Sequence, residues 1–194
     1  LMNMQTLDNK SKLMLTAIDL MAEKGYKGVS TKEIAAVAGV SEMTLFRNFG
    51  SKQNLLEQAV DRYHYSVEME KLFKEDIKWD LKEDLFTICQ MYHDIMQRNR
   101  KLFIIVLSDN ELTSIREKAD RHPRKFLELL TKYFDEMQSK HKMISTDAQT
   151  QAMTLMWLNY GAFMSQLFGA SFTEVTMQDF MHSSIDLFVK ALTP

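Results

Sequence analysis

The chain is poor in the residues that staple or interrupt a fold. Among 194 residues there is one cysteine, Cys89, so no intramolecular disulfide can form and nothing points to an oxidising compartment. Only two prolines occur, Pro123 and Pro194, which leaves helices free to run long. The longest strictly apolar run, LFIIVL from Leu102 to Leu107, is far short of the roughly 20 residues that span a bilayer. The opening residues LMNMQTLDNK lack the apolar stretch of a secretory signal, so a soluble, cytoplasmic protein with no membrane partner is expected. Alternating strand patterns and Asn-Gly or Asp-Gly hairpin dipeptides are missing too.

Signatures of catalysis are equally scarce. The five histidines, His64, His93, His122, His141 and His182, are scattered, and none forms an H-E-x-x-H or Cys-His metal spacing. There is no P-loop, dinucleotide fingerprint or G-x-S-x-G elbow. The expectation is a protein that is not an enzyme and carries no cofactor or metal.

Glycine is also sparse, and its distribution is uneven. Of six glycines, Gly25, Gly28, Gly39 and Gly50 fall in the first 50 residues, and only Gly161 and Gly169 follow. Short elements with frequent corners are therefore expected first, then long helices. The formal charge of −2 divides in the same place. Residues 1 to 52 carry seven bases against five acids, a surplus of two that leaves −4 on the remainder. The asymmetry is small, and it neither makes nor excludes a nucleic-acid partner.

An all-α fold follows. The first helix is expected over Asn9 to Lys24, with Met14, Ala17, Ile18 and Met21 as its buried stripe. Ser30 and Glu33 have capping-box spacing and open a second helix carrying Ile34, Ala35 and Ala38 inward. Ser41 caps a third, which stops at Gly50, and Ser51 caps a long fourth reaching about Lys74. Further helices are expected over Asp80 to Gln97, Lys101 to Lys118, Pro123 to Lys140, Asp147 to Leu167 and Thr173 to Ala191. Pro123 suits the first turn of its helix.

The second and third helices are too short to be stable alone, so they must pack at a steep angle with three or four residues in which to turn. Gly39 suits a left-handed backbone there, Ala35 allows close approach, Leu45 fills the angle and Val40 plugs the corner. This Ala, Gly, Leu spacing is that of a helix-turn-helix; an arbitrary helical corner is the plainer alternative.

From about Ile18 to Leu56 the chain resembles the TetR family of bacterial transcriptional regulators. The likeness rests on EKGY, STKEIAAVAGVS, TLFRNF and SKQNLLEQA in that order. It implies a DNA-binding domain over residues 1–51 and a helical ligand-binding and dimerisation domain over 52–194. By this resemblance Lys32, Glu42, Met43 and Phe46 occupy base-reading positions, and Thr31, Thr44, Arg47, Asn48 and Lys52 sit where the family contacts phosphates, with Ser41 in the same set. The chemistry fits double-stranded DNA: lysine donates to guanine, glutamate accepts from cytosine N4, and Met43 or Phe46 touches a thymine methyl. The sequence departs from the family's common glycine at Met43 and tyrosine at Phe46, which leaves the bases read open. Phe46 packed beneath the domain, and lysines that are merely solvated, are the bland alternatives.

A twofold pair of reading helices about 34 Å apart would meet successive major-groove faces of a palindrome. The homodimer surface is expected where a helix is apolar on more than one face. Ala152 to Phe168, AMTLMWLNYGAFMSQLF, qualifies, with Phe180, Met181, Leu187, Phe188 and Ala191 of the last helix as companion. Fifteen methionines and twelve phenylalanines favour an adaptable pocket for a small hydrophobic or amphipathic effector. Tyr92, Met96, Phe103, Phe126, Trp157 and Tyr160 are its candidates, with His93 and Asn159 as polar anchors; each has a plain core reading as well. The resemblance implies a repressor released by its effector. The alternative is a TetR-fold protein that binds lipid or another apolar ligand without sequence-specific DNA binding.

Overall fold

The computed structural model describes residues 7–63, 66–169 and 173–194. His64 and the middle of the expected fourth helix lie outside the described residues, as do the first six residues. Among the described residues there is no strand, and the fold is all-α as the sequence implies.

The head comprises α1 (Asn9–Lys24), α2 (Thr31–Ala38) and α3 (Glu42–Phe49), followed by α4 (Lys52–Tyr63). Next come α5 (Ser66–Lys71), which ends in a π turn over Leu72–Asp76, then α6 (Leu81–Arg98), α7 (Arg100–Ser108) and α8 (Thr113–Ala119). Finally come α9 (Arg121–Ser139), α10 (Ala148–Leu167) and α11 (Met177–Leu192). None of these helices is long and apolar enough to cross a membrane.

The first unit contains residues 1–64 and 99–120. Met14, Ala17, Ile18 and Met21 of α1 are buried in its core with Ile34, Leu45, Phe49, Leu55 and Leu56. The apolar run Leu102–Leu107 forms most of α7, and its Leu102, Ile105 and Val106 complete that core. Packing thus joins α4, α7 and α8 to the head, and the compact unit does not end at residue 51.

The single helix expected over 101–118 is broken at Asp109, where the backbone turns extended at φ −124° and ψ 116°. The break is stabilised by side chains within ten residues of it. The Arg116 guanidinium donates to the carbonyls of Val106 at 2.9 Å and Asp109 at 2.6 Å, and Asp109 accepts from the Glu111 N–H at 2.9 Å. Helix-end carbonyls that would otherwise be orphaned are thereby satisfied.

The second unit contains residues 65–98 and 121–194. Its core joins Leu85, Ile88, Phe134, Met137, Phe163, Met181 and Ile185. Buried Asp84 accepts from the Tyr133 hydroxyl at 2.9 Å and the Lys78 N–H at 2.8 Å, which fastens the start of α6 to α9. Trp79, in a left-handed conformation at φ 62°, stacks on Tyr133 at 5.9 Å.

The apolar stripe expected on α11 divides in two. Met181, Ile185 and Leu192 are buried, whereas Leu187 is 67 % exposed and Ala191 is exposed with it. A step of 100° per residue puts Leu187 and Ala191 together on a second face.

Candidate nucleic-acid interface

Gly39 is a corner. It stands in the left-handed region at φ 72° and ψ 31°; its N–H meets the Ala36 carbonyl at 3.2 Å while that of Val40 reaches Ala35 at 3.0 Å. This pair of bonds is a Schellman closure, which satisfies the last carbonyls of α2 and sends the chain away at once. Two residues later the Ser41 side chain accepts from the Thr44 N–H at 3.1 Å and starts α3. Ser30 does the same for α2 through the Glu33 N–H at 3.1 Å, while the Glu33 carboxylate binds Lys24 at 2.6 Å.

Helix α3 has two unlike sides. Leu45 and Phe49 are 0 % and 3 % exposed and anchor the helix in the core, whereas Met43 is 80 % and Phe46 47 % exposed. Arg47 is exposed beside them, and so is Lys32 on α2. The solvent side of α3 thus carries a methionine, a phenylalanine and an arginine next to one another.

The remaining candidates are tied into local structure. Thr31, the first residue of α2, donates its hydroxyl to Glu42 Oε1 on α3 at 2.6 Å. The Asn48 amide donates to the Thr44 carbonyl at 2.7 Å, and the Thr44 and Ser41 hydroxyls meet at 2.9 Å. Lys52 is turned inward, its ammonium donating to the carbonyls of Tyr26 at 2.7 Å and Val29 at 2.8 Å and lying 4.2 Å above the Tyr26 ring. Partial burial pulls its pKa below the usual lysine range. Asn54 closes the next corner by donating to the Phe49 carbonyl at 2.7 Å.

Comparison with known proteins agrees with this geometry. The sequence model described as "Bacterial regulatory proteins, tetR family" matches residues 13–59, which hold most of α1, all of α2 and α3, and most of α4. The HTH-type transcriptional regulator YvkB of Bacillus subtilis is 27 % identical over 184 residues, 94 % of this chain and 96 % of that one. IcaR of Staphylococcus aureus, the negative transcriptional regulator of the biofilm operon icaADBC, is 27 % identical over 190 residues, 93 % of this chain and 99 % of its own. The chain carries the DNA-binding domain of the TetR family of transcriptional regulators.

Solved structures share the fold along nearly the whole chain. NalD, the secondary repressor of the MexAB-OprM multidrug efflux pump in Pseudomonas aeruginosa, superposes with a TM-score of 0.72 at 19 % identity and 95 % coverage of both chains.

Beyond that domain, the residues read from sequence as an effector pocket are dispersed. Tyr92, His93, Met96, Phe126 and Asn159 are buried in the second unit. The Tyr92 and Phe126 rings stack at 5.4 Å. His93 Nε2 donates to Asn159 Oδ1 at 2.9 Å, and the Asn159 amide donates to the Leu155 carbonyl at 2.8 Å. Trp157 and Tyr160 face outward, 66 % and 38 % exposed, and Phe103 lies on α7 in the first unit. A groove of about 810 Å³ instead runs along α6, lined by Phe86, Gln90, Met91, Asp94 and Arg98 among others.

Sequence reasoning missed two residues that shape the head, Tyr26 and Asn54. Tyr26 was visible as the last letter of the quoted EKGY block, but its role as a seat for Lys52 depends on a partner 26 residues away.

Proposed function

We propose that this regulator is a cytoplasmic, homodimeric repressor that grips a palindromic operator and is released by a small hydrophobic ligand. The observation that carries the reading is the two-sided α3, anchored by Leu45 and Phe49 and presenting Met43, Phe46 and Arg47 to solvent. On this reading Lys32, Glu42, Met43 and Phe46 meet base edges, the two apolar side chains favouring thymine methyl groups. Arg47, Thr44 and Asn48 hold the phosphates. Lys52 has three donors and spends two on Tyr26 and Val29, leaving the third for the backbone of the duplex. Ser41 serves by starting the reading helix.

Dimerisation is assigned to α10 and α11. Trp157, Leu158 and Gly161 recur at helical spacing on one exposed face of α10, with exposed Phe168 just past its end, and Leu187 and Ala191 give α11 a matching face. The functional division is a reading head over residues 1–51 and a dimerisation and effector part over 52–194. Repression is the reading supported by the names of IcaR, a negative regulator, and NalD, a repressor.

The effector site is assigned to the second unit, around Tyr92, Met96 and Phe126. A ligand that recruits His93 or Asn159 must replace the bond they make to each other. The chain passes between the two units after residues 64, 98 and 120, which gives a ligand-driven change three covalent routes to the head. Weakening operator binding about 100-fold needs a preference for the released state of about 2.7 kcal/mol, an ordinary coupling.

Selection of bound duplexes from a randomised library tests the reading. A palindrome with half-sites about one helical turn apart, bound with a steep salt dependence, supports it. Failure to enrich any sequence favours an apolar-ligand carrier on the same fold.

A further inference from the structure

A hydroxyl has one proton, and in Thr31 that proton is already engaged. Its Oγ1 lies 2.6 Å from Glu42 Oε1, and an ionised carboxylate only accepts, so the hydroxyl donates. A phosphate oxygen also requires a donor. Thr31 Oγ1 therefore cannot serve the DNA backbone while it serves Glu42.

We infer that Thr31 is a positioning residue which holds the Glu42 carboxylate in place to read one base pair, and that its side chain is not a phosphate contact. The inference rests on the reading of α3 as the helix that enters the groove. Thr31 and Glu42 are the first residues of α2 and α3, so the bond joins two helix starts across the corner at Gly39. A free glutamate side chain loses rotamer entropy when it is fixed on a base edge. A glutamate already held by a short, charge-assisted bond has met much of that cost before DNA arrives. The bond engages Oε1, and Oε2 becomes the acceptor presented to an exocyclic amino group such as cytosine N4. Replacing Thr31 should then erode discrimination at a single position and leave the rest of the site alone, unlike the loss of a phosphate contact.

The test uses the full-length protein and the duplex recovered from a randomised library, together with variants of that duplex changed one base pair at a time. Wild type, Thr31→Val, Thr31→Ser, Glu42→Ala and the double variant Thr31→Val/Glu42→Ala are compared by fluorescence anisotropy, with melting curves to establish folding. Thr31→Val should lose roughly tenfold of the discrimination at the same base pair that Glu42→Ala relaxes, within the range one base contact supplies. Thr31→Ser should keep it, and the valine should add nothing in the Glu42→Ala background. Thr31→Ala gives the same reading if the valine variant is not folded. A Thr31→Val variant that weakens all duplexes equally, or one that matches wild type everywhere, overturns the inference while the base-reading role of Glu42 stands. A Glu42→Ala variant without any position-specific effect removes the base-reading assignment and the inference with it.

Discussion

The Lys52 ammonium donates to the main-chain carbonyl of Tyr26 at 2.7 Å and sits 4.2 Å above that residue's ring. With the second bond to Val29 it fastens the loop between α1 and α2 to the first turn of α4. The head is therefore held by a half-buried cation as well as by its apolar core. Lys52→Met keeps the aliphatic stem and removes the charge, leaving two carbonyls short of a donor. The expected cost is about 2 kcal/mol, read as a fall in melting temperature of roughly 4–8 °C. DNA affinity should fall on all sequences alike. An unchanged melting curve with weakened DNA binding would make Lys52 a phosphate contact alone.

Two glycines separate two kinds of constraint. At Gly39 an added Cβ meets nothing within 4 Å, so the only obstacle is the left-handed φ of 72°. At Gly28 an added Cβ would lie 2.3 Å from the Lys24 carbonyl oxygen, so main chain must move. Gly39→Ala should cost about 1 kcal/mol and Gly28→Ala about 3 kcal/mol. Denaturant melts of the two variants check the ordering, and equal losses would contradict it.

Much of the head is legible in sequence because its determinants are local. Ser30, Ser41 and Ser51 cap the helices they precede, and the 100° step separates Leu45 and Phe49 from Met43, Phe46 and Arg47 without knowledge of the rest of the chain. The break at Asp109 is illegible for the opposite reason, since the carbonyls it frees are satisfied by Arg116, which sequence places in the same helix. Likewise α7 joins the head through its apolar face and through Lys101, which binds Asp19 at 2.7 Å across 82 residues. The dispersal of the expected pocket has the same origin: a Tyr or Trp at core-like spacing looks alike whether it faces inward, as Tyr92 does, or outward, as Trp157 does.

The outward faces of α10 and α11 lead to a prediction about assembly. Trp157→Glu and Leu187→Glu alter residues that are 66 % and 67 % exposed, so each should leave the protomer folded. Sedimentation equilibrium should show a dimer for the wild type and mostly monomer for either variant, with operator affinity reduced at least tenfold because one reading head alone buries too little of the duplex. A dimer that survives both changes would place the interface elsewhere.

His93 gives a pH dependence. Burial pushes its pKa below 6.5, a shift partly opposed by the bond to Asn159, so the folded protein keeps the ring neutral. Below about pH 6.5 the unfolded chain binds the proton more readily, and stability falls with pH until the folded-state pKa is reached. His93→Gln should flatten the decline in melting temperature between pH 7 and pH 5 even if it lowers stability at pH 7. A decline of the same steepness in the variant would assign the acid sensitivity to other groups.

The most direct test of the account places a photoreactive benzophenone amino acid at position 46 or at position 187 in the full-length protein and irradiates it with the duplex selected from the random library. The account predicts that the label at 46 joins protein to DNA and the label at 187 joins one protein chain to a second. A protein that binds the duplex yet forms no DNA adduct from position 46 would contradict it.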